Sequence, residues 1–339
     1  FNIKCFPAGN SKTEAVMPDH ILEEYTKQNI SGQNYKKASF NWYGQDPALC
    51  GLDFFKKAVD LQKKYQLEDV KTENDFLTDG SRIDDNWCRF FKENNFLVGL
   101  KINNLSERAV LKAAKILQEY GIVFYVRMEI DNAAAQKPLE VYNFLRDDVG
   151  AGMIKFVPVV ELLSNDNDNP RLTSDSVIPE QWGEFLCRIF DEWYEKDTGR
   201  VMVCQFESAQ LTAAGMKSPV CLLNPMCGKG MALLQDGSVY SCDRFIKPGY
   251  ELGNIMDKSI HSMLFSQEQH KFGYNKMKNL TQECRDCRFM DWCYGECPGN
   301  RFSQSCTGEK GHNYLCEGYK KFFVYAEERL RIIARDKMS

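Results

Sequence analysis

The chain has 339 residues, 43% of them hydrophobic, 12% aromatic and 27% charged, which suits a globular chain with room for one barrel-sized domain plus a smaller appendage and excludes a disulfide-stapled mini-protein or a disordered chain. Forty-three basic against 47 acidic residues give a net charge of -4, so no basic footprint for nucleic acid or an anionic membrane is present. The longest apolar runs, 96–100 and 153–160 with Lys155 inside it, are too short for a bilayer span and the opening FNIKCFPAGN lacks a signal-peptide core; the expectation is a cytoplasmic, soluble monomer without nucleic-acid or membrane partners.

In chain order, helical periodicity predicts helices over 13–29, 52–65, 84–94, 107–120, 139–147 and 180–196. Short β-branched and aromatic runs between them predict strands over 38–43, 70–77, 96–102, 123–130 and 153–160. Strand and helix in alternation mean a parallel sheet, because each crossover helix returns the chain to the same end. Barrels of this kind carry their chemistry on the loops after the strand C-termini, which begin here at Gly44, Asp79, Asn103, Asp131 and Glu161. The 180–196 helix carries Trp182, Phe185, Leu186, Ile189, Phe190 and Trp193 at helical spacing, a stripe for core packing. The segment 164–176 has the composition of a surface excursion. Beyond Cys221, Asp236-Gly237 between two short apolar runs predicts a tight hairpin. The chain then closes on an amphipathic helix over 317–338 that should pack back on the body.

The 14 cysteines are unevenly spread: nine of them fall between Cys221 and Cys316. Clustered CxxC spacing in a chain with no secretory signal points to metal rather than disulfides. The ligand candidates are Cys221, Cys227 and Cys242, then Cys284, Cys287, Cys293 and Cys297 in CRDCRFMDWCYGEC, and finally Cys316. Eight thiolates make two four-cysteine sites, and spacing alone leaves iron–sulfur clusters and zinc both open.

The run DGSVYSCDRFIKPGYELGNI (236–255), with CYGECPGNRF (293–302) and NYLCEGYKKFF (313–323), resembles the SPASM extension of radical S-adenosylmethionine enzymes, and within them the anaerobic sulfatase-maturating enzymes. The likeness is strong from Cys221 onward and weaker over the rest. It implies an α/β fold: a partial parallel (β/α) barrel of the radical SAM type over 1–206, a cysteine-rich SPASM domain over 207–316, and a C-terminal helix over 317–339. It further implies one auxiliary 4Fe-4S cluster on Cys221, Cys227, Cys242 and Cys297 and another on Cys284, Cys287, Cys293 and Cys316. The family oxidises an active-site Cys or Ser of a sulfatase, in a Cys/Ser-x-Pro-x-Arg motif, to formylglycine, with electrons from a reductant such as flavodoxin or ferredoxin. The family's proposed base falls on Asp243. Without the family match that residue reads as a turn cap beside the cysteine.

Elsewhere the sequence departs from the family. Its third 4Fe-4S cluster, which binds S-adenosylmethionine, needs a CxxxCxxC loop after the first strand. FNIKCFPA aligns there, with Phe1, Cys5 and Ala8 at the ligand positions. One thiolate cannot retain that cubane, so Cys5 reads as a remnant. On this alignment no residues remain for a first strand, so either the sequence is a fragment or the barrel lacks that strand. Gly44-Gln45-Asp46-Pro47 replaces the cofactor-gripping GGEP segment, with Tyr43 where a substrate-binding Gln is usual. Gln45 adds a Cβ where a positive φ is expected. Thr78-Asp79-Gly80 and Lys101-Ile102-Asn103-Asn104 replace a Thr-Asn-Gly and a Ser-x-Asp-Gly. Four drifted loops around one centre predict a degenerate maturase that keeps its auxiliary clusters without cleaving S-adenosylmethionine. The alternatives are a sulfatase-binding pseudoenzyme, an iron–sulfur electron carrier and a relic. His20, His261, His270 and His312 read as surface or capping residues, and Cys50, Cys88, Cys187 and Cys204 as small buried hydrophobes.

Overall fold

The computed structural model describes residues 2–7, 16–32, 36–105, 107–163 and 170–336. The chain compacts into two units that interleave along the sequence: Phe1–Lys101, Arg108–Tyr125 and Gly228–Gly273 form the first, and Ile102–Glu107, Val126–Cys227 and Tyr274–Ser339 the second.

In the first unit, strands β1 (Asn2–Phe6), β2 (Lys37–Trp42), β3 (Lys71–Thr78) and β4 (Phe96–Ile102) alternate with helices α1 (Asp19–Ser31), α2 (Leu52–Tyr65), α3 (Asp85–Glu93) and α4 (Arg108–Glu119). Helix boundaries follow local chemistry. Pro18 precedes α1, and Asp84 accepts from the backbone N–H of Asn86 and Trp87 at 2.9 and 3.0 Å to start α3. Residues 13–15 of the first predicted helix lie outside the described residues.

The first strand, expected to be missing, is present. β1 pairs in parallel with β2, Cys5 opposite Trp42, and with β8 (Gly230–Leu234), Cys5 opposite Leu233. The five residues of β1 alternate too briefly to register as a strand by periodicity; the neighbours on both edges supply the hydrogen bonds. β8 also explains why the units interleave. It turns at Asp236-Gly237 into β9 (Ser238–Tyr240), which pairs antiparallel with it, as does β10 (Glu251–Asn254) with β9. The predicted hairpin is therefore observed, with Gly237 at φ 87° and no room there for a Cβ, which would lie 2.8 Å from Asn254 Oδ1.

One face of β1–β4 packs on the helices. Phe40, Trp42 and Phe76 there meet Tyr25, Phe55, Trp87 and Phe91 through ring centroids 5.0–6.0 Å apart. The buried indole N–H of Trp42 donates to Asn74 Oδ1 at 2.9 Å, and Gln62 and Asn74 exchange amide bonds at 2.9 Å, which pairs these three side chains inside the layer.

In the second unit, β5 (Phe124–Ile130), most of which belongs here, pairs in parallel with β6 (Met153–Pro158), and β6 with the short β7 (Met202–Val203). The predicted 139–147 helix is α5 (Pro138–Asn143) continued by a wider turn over Phe144–Asp148. Residues 164–169 of the predicted excursion lie outside the described residues; on either side of them Leu162 bridges Leu172. α6 (Pro179–Lys196), α7 (Cys204–Ala213) and the long α8 (Cys316–Asp336) pack together as expected of the amphipathic patterns. Trp182, Phe185, Phe190 and Trp193 are completely buried, and Phe190, Phe206 and Phe322 meet at centroid distances of 5.2–5.8 Å. Among the described residues, no helix is long and apolar enough to cross a membrane.

Candidate functional site

In the second unit, Cys284, Cys287, Cys293 and Cys316 line one cavity together with His312 and Lys320. Local structure delivers each cysteine. Thr281 caps the short helix Gln282–Arg285 that carries Cys284, and the Cys287 N–H donates to Cys284 O at 3.3 Å. Cys293 ends the helix Met290–Cys293, after which the chain turns left-handed at Tyr294, φ 49°. Cys316 opens α8, its N–H donating to Asn313 O at 3.1 Å.

The sulfurs are spread. Among the described residues the three metal-type donors that approach within 4.8 Å of one another are Glu283, His312 and Cys316; no trio of cysteines does so. A four-cysteine zinc site needs sulfurs about 3.8 Å apart, given Zn–S bonds of about 2.3 Å. The cage fits a cluster several bonds wide better than one ion. Burial pushes the Cys293 thiol up to about 12 and raises Cys316 as well, so these sulfurs become thiolates only with a metal to stabilise them.

Sequence reasoning missed His312. It is 5% exposed, shares a hydrogen with Thr281 Oγ1 at 2.9 Å and stands 3.7 Å from Cys284 Sγ. Burial holds its imidazole below the ordinary value. Its position four residues before Cys316 was the available signal. Glu283, beside it at 3.8 Å, is held down to about 2 by Lys320, 2.7 Å away, and by the Cys306 N–H.

Of the other predicted ligands, Cys221 begins a short turn, Cys227 is half-buried and Cys297 is buried, all in the second unit. Cys242 belongs to the first unit, immediately before Asp243. The neighbours that hold the Asp243 carboxylate there include Lys4 Nζ at 2.5 Å and the Cys242 thiol, which donates to it at 3.3 Å. Lys4 comes from β1, the strand that went unrecognised, and its ammonium lies 5.4 Å from the Tyr43 ring centre. Tyr43 and Tyr125 both donate to Asp75, at 3.2 and 2.9 Å. Gly99 admits Tyr125, since a Cβ there would lie 2.4 Å from its ring.

Cys5 is placed differently from the expectation of a loop remnant. It sits inside β1, has no exposed surface and neighbours Tyr25 and Cys50; burial first, then Cys50, pushes its thiol well above the ordinary range. Phe1 and Ala8, the other two aligned positions, lie outside the described residues. Cys88 and Cys187 are buried as expected, whereas Cys50 and Cys204 are only half-buried.

In the segment after β2, Gly44 takes the positive φ of 116° and Gln45 does not, so the Cβ of Gln45 meets no backbone strain. Asp46 Oδ1 accepts from Ala48 N at 3.1 Å to start the turn Pro47–Cys50. Burial, with Asp79 nearby, pushes its carboxyl up to about 6. A carboxyl whose pKa is higher folded than unfolded favours the fold below the unfolded value, near 4, and loses that contribution as pH rises through about 6. Asp46→Asn is therefore expected to remove this pH dependence. Urea midpoints of wild type and variant at pH 4.5 and 7 should diverge, the variant gaining relative stability at pH 7.

The SPASM iron-sulfur cluster-binding domain family matches residues 221–288. The serine-type anaerobic sulfatase-maturating enzyme of Bacteroides thetaiotaomicron is 35% identical over 350 residues, covering 96% of this chain and 84% of its own. The cysteine-type enzyme of Clostridium perfringens is 30% identical, covering 96% and 91%. The solved structure of anSMEcpe with bound AdoMet superposes with a TM-score of 0.87 at 27% identity over 99% of both chains, and a second structure of that protein holds AdoMet and the Cp18Cys peptide. The fold is thus of the radical SAM type, α/β with a mostly parallel sheet and a SPASM domain.

Proposed function

The chain belongs to the anaerobic sulfatase-maturating enzymes, and from that premise we propose that it is a member that keeps two auxiliary 4Fe-4S clusters and the recognition of a sulfatase-type peptide while having lost the cleavage of S-adenosylmethionine. The observation that carries this reading is Cys5. The radical cluster of the family needs three thiolates on one loop. Between Asn2 and Leu49 this sequence has a single cysteine, and it is buried within β1 beside Tyr25 rather than displayed on a loop.

The cavity lined by Cys284, Cys287, Cys293 and Cys316 supports one of the auxiliary groups. Cys284, Cys287, Cys293 and Cys316 would hold one cluster, and Cys221, Cys227, Cys242 and Cys297 the other, within a SPASM region over 207–316. Iron at these positions supplies one-electron chemistry when bound. Asp243, the position of the family's proposed base, is paired with Lys4 at 2.5 Å. That ion pair fixes the carboxylate in place and supplies a cation beside it, so in this chain Asp243 serves to orient polar substrate atoms. Tyr43, Asp75 and Tyr125 add a hydrogen-bonded wall in the same unit. A peptide carrying Cys-x-Pro-x-Arg, as in the family's substrates, is the proposed partner.

Anaerobic reconstitution of the full chain should give about eight iron atoms per chain, not about twelve. With reductant and S-adenosylmethionine no 5'-deoxyadenosine should form, and the Cys-x-Pro-x-Arg peptide should still bind. Stoichiometric 5'-deoxyadenosine would overturn the inactive reading; about one or two zinc atoms without visible absorbance would overturn the clusters.

A further inference from the structure

Two cations lie inside the second unit against the cysteine segments, and nothing in the proposed reaction uses them. Lys276, in the last turn of the helix Gln267–Lys278, is 1% exposed. Its Nζ donates to the carbonyls of Cys221 and Leu222 at 3.0 and 2.7 Å. Its own carbonyl accepts from Arg301 Nη1 at 2.6 Å. Arg301 also grips the loop that follows Cys293, donating from Nε to Gly295 O at 2.9 Å and from Nη2 to Tyr294 O at 2.8 Å.

That loop is three left-handed residues in a row, Tyr294, Gly295 and Glu296 at φ 49°, 65° and 54°. Two of them carry a Cβ, a conformation that costs energy and needs support from outside the loop. The guanidinium fork supplies that support and places a full charge beside Cys293. The third charge is Glu296, 1% exposed. Its Oε2 accepts from Asn300 and Asn313 at 3.0 and 2.7 Å, and its Oε1 is buried with no hydrogen-bond partner.

A cage of four thiolates around iron is anionic and becomes more so by one unit when it takes up an electron. Its potential therefore responds to net charge nearby, most strongly where water is excluded. A buried lysine is otherwise a costly choice for bonding two carbonyls that a neutral side chain could satisfy. We propose that Lys276, Arg301 and Glu296 form a charge hub that sets the reduction potential of the cluster on Cys284, Cys287, Cys293 and Cys316, the two cations raising it and the carboxylate lowering it. This rests on the cluster assignment proposed above. The cage accepts one electron from a one-electron reductant and passes one on, while the hub itself carries no electron and releases no proton.

The test is an EPR-monitored potentiometric titration of the reconstituted full chain, with iron counted in each sample. The cage's signal is the one lost in Cys287→Ser. At unchanged iron content, Arg301→Gln and Lys276→Met should shift its midpoint negative, Glu296→Gln should shift it positive, and Arg301→Lys and Lys276→Arg should stay near wild type. Opposite signs separate charge from distortion, because a merely loosened loop moves all variants the same way. Midpoints that do not move, or that move in one direction for all three neutral variants, would overturn the hub. If Lys276→Met does not fold, Arg301→Gln against Glu296→Gln still decides the sign. Wild-type protein without a signal that depends on Cys287 would instead bring down the cluster assignment itself.

Discussion

Replacing Cys284 and Cys287 together by serine should cut the iron content of the reconstituted chain from about eight atoms to about four. The pair is joined by a single turn, the Cys287 N–H on the Cys284 carbonyl at 3.3 Å, so both sulfurs reach one side of the cage. With both gone, Cys293 and Cys316 are left, and two thiolates cannot retain a cubane. Serine is a poor substitute because its hydroxyl is hard and stays protonated where iron prefers a soft thiolate. A single Cys284→Ser change is a weaker test, since His312 Nδ1 already lies 3.7 Å from the lost sulfur and offers a nitrogen donor. The double variant should also melt earlier than wild type. The cluster joins short helices at 282–285 and 290–293 to the start of α8, and the left-handed loop at 294–296 gains nothing from its backbone alone. Iron analysis and thermal scans of both proteins measure this. Unchanged iron with loss of zinc would show that the site holds the wrong metal.

The sequence was informative where local chemistry and tertiary contact agree. Asp84 reads as a helix start and caps one; the stripe from Trp182 to Trp193 reads as core and is buried; Asp236-Gly237 reads as a hairpin and turns one. It was misleading at β1, because alignment on a lone cysteine treated Cys5 as loop, when the strand is defined by partners more than 30 residues away at Trp42 and over 200 away at Leu233. That error hid Lys4, the partner of Asp243, since a lysine before an isolated cysteine carries no local sign of its function. His312, Lys276 and Arg301 were missed for a related reason. Each acts through contacts with residues distant in sequence, and none has a spacing rule of the kind that CxxC provides.

The crossing of α6 and α8 is where a single methyl group should do most damage. Gly318 faces Pro179 and Gly183 so closely that a Cβ would lie 2.3 Å from the Pro179 carbonyl oxygen; at Gly183 it would lie 2.8 Å from Gly318 O. These are backbone atoms, so relief requires the helices to move apart. Separation would disturb the pairing of Trp182 with Tyr319, of Phe190 with Phe322, and the ion pairs Lys321 to Glu184 and Arg329 to Asp191 at 2.6 and 2.7 Å. Overpacking of this kind costs about 1–3 kcal/mol, while alanine in a helix interior returns about 1 kcal/mol over glycine, so Gly318→Ala should lose up to about 2 kcal/mol net and Gly318→Leu more. Gly152→Ala is the control, with nothing within 4 Å of the added Cβ. Because Cys316 lies two residues before Gly318 on the same helix, the Gly318 variants should also release iron from the cage faster under a chelator, whereas Gly152→Ala should match wild type in both denaturant midpoint and iron loss. A Gly318→Leu protein as stable as wild type would mean that the two helices do not cross at these glycines.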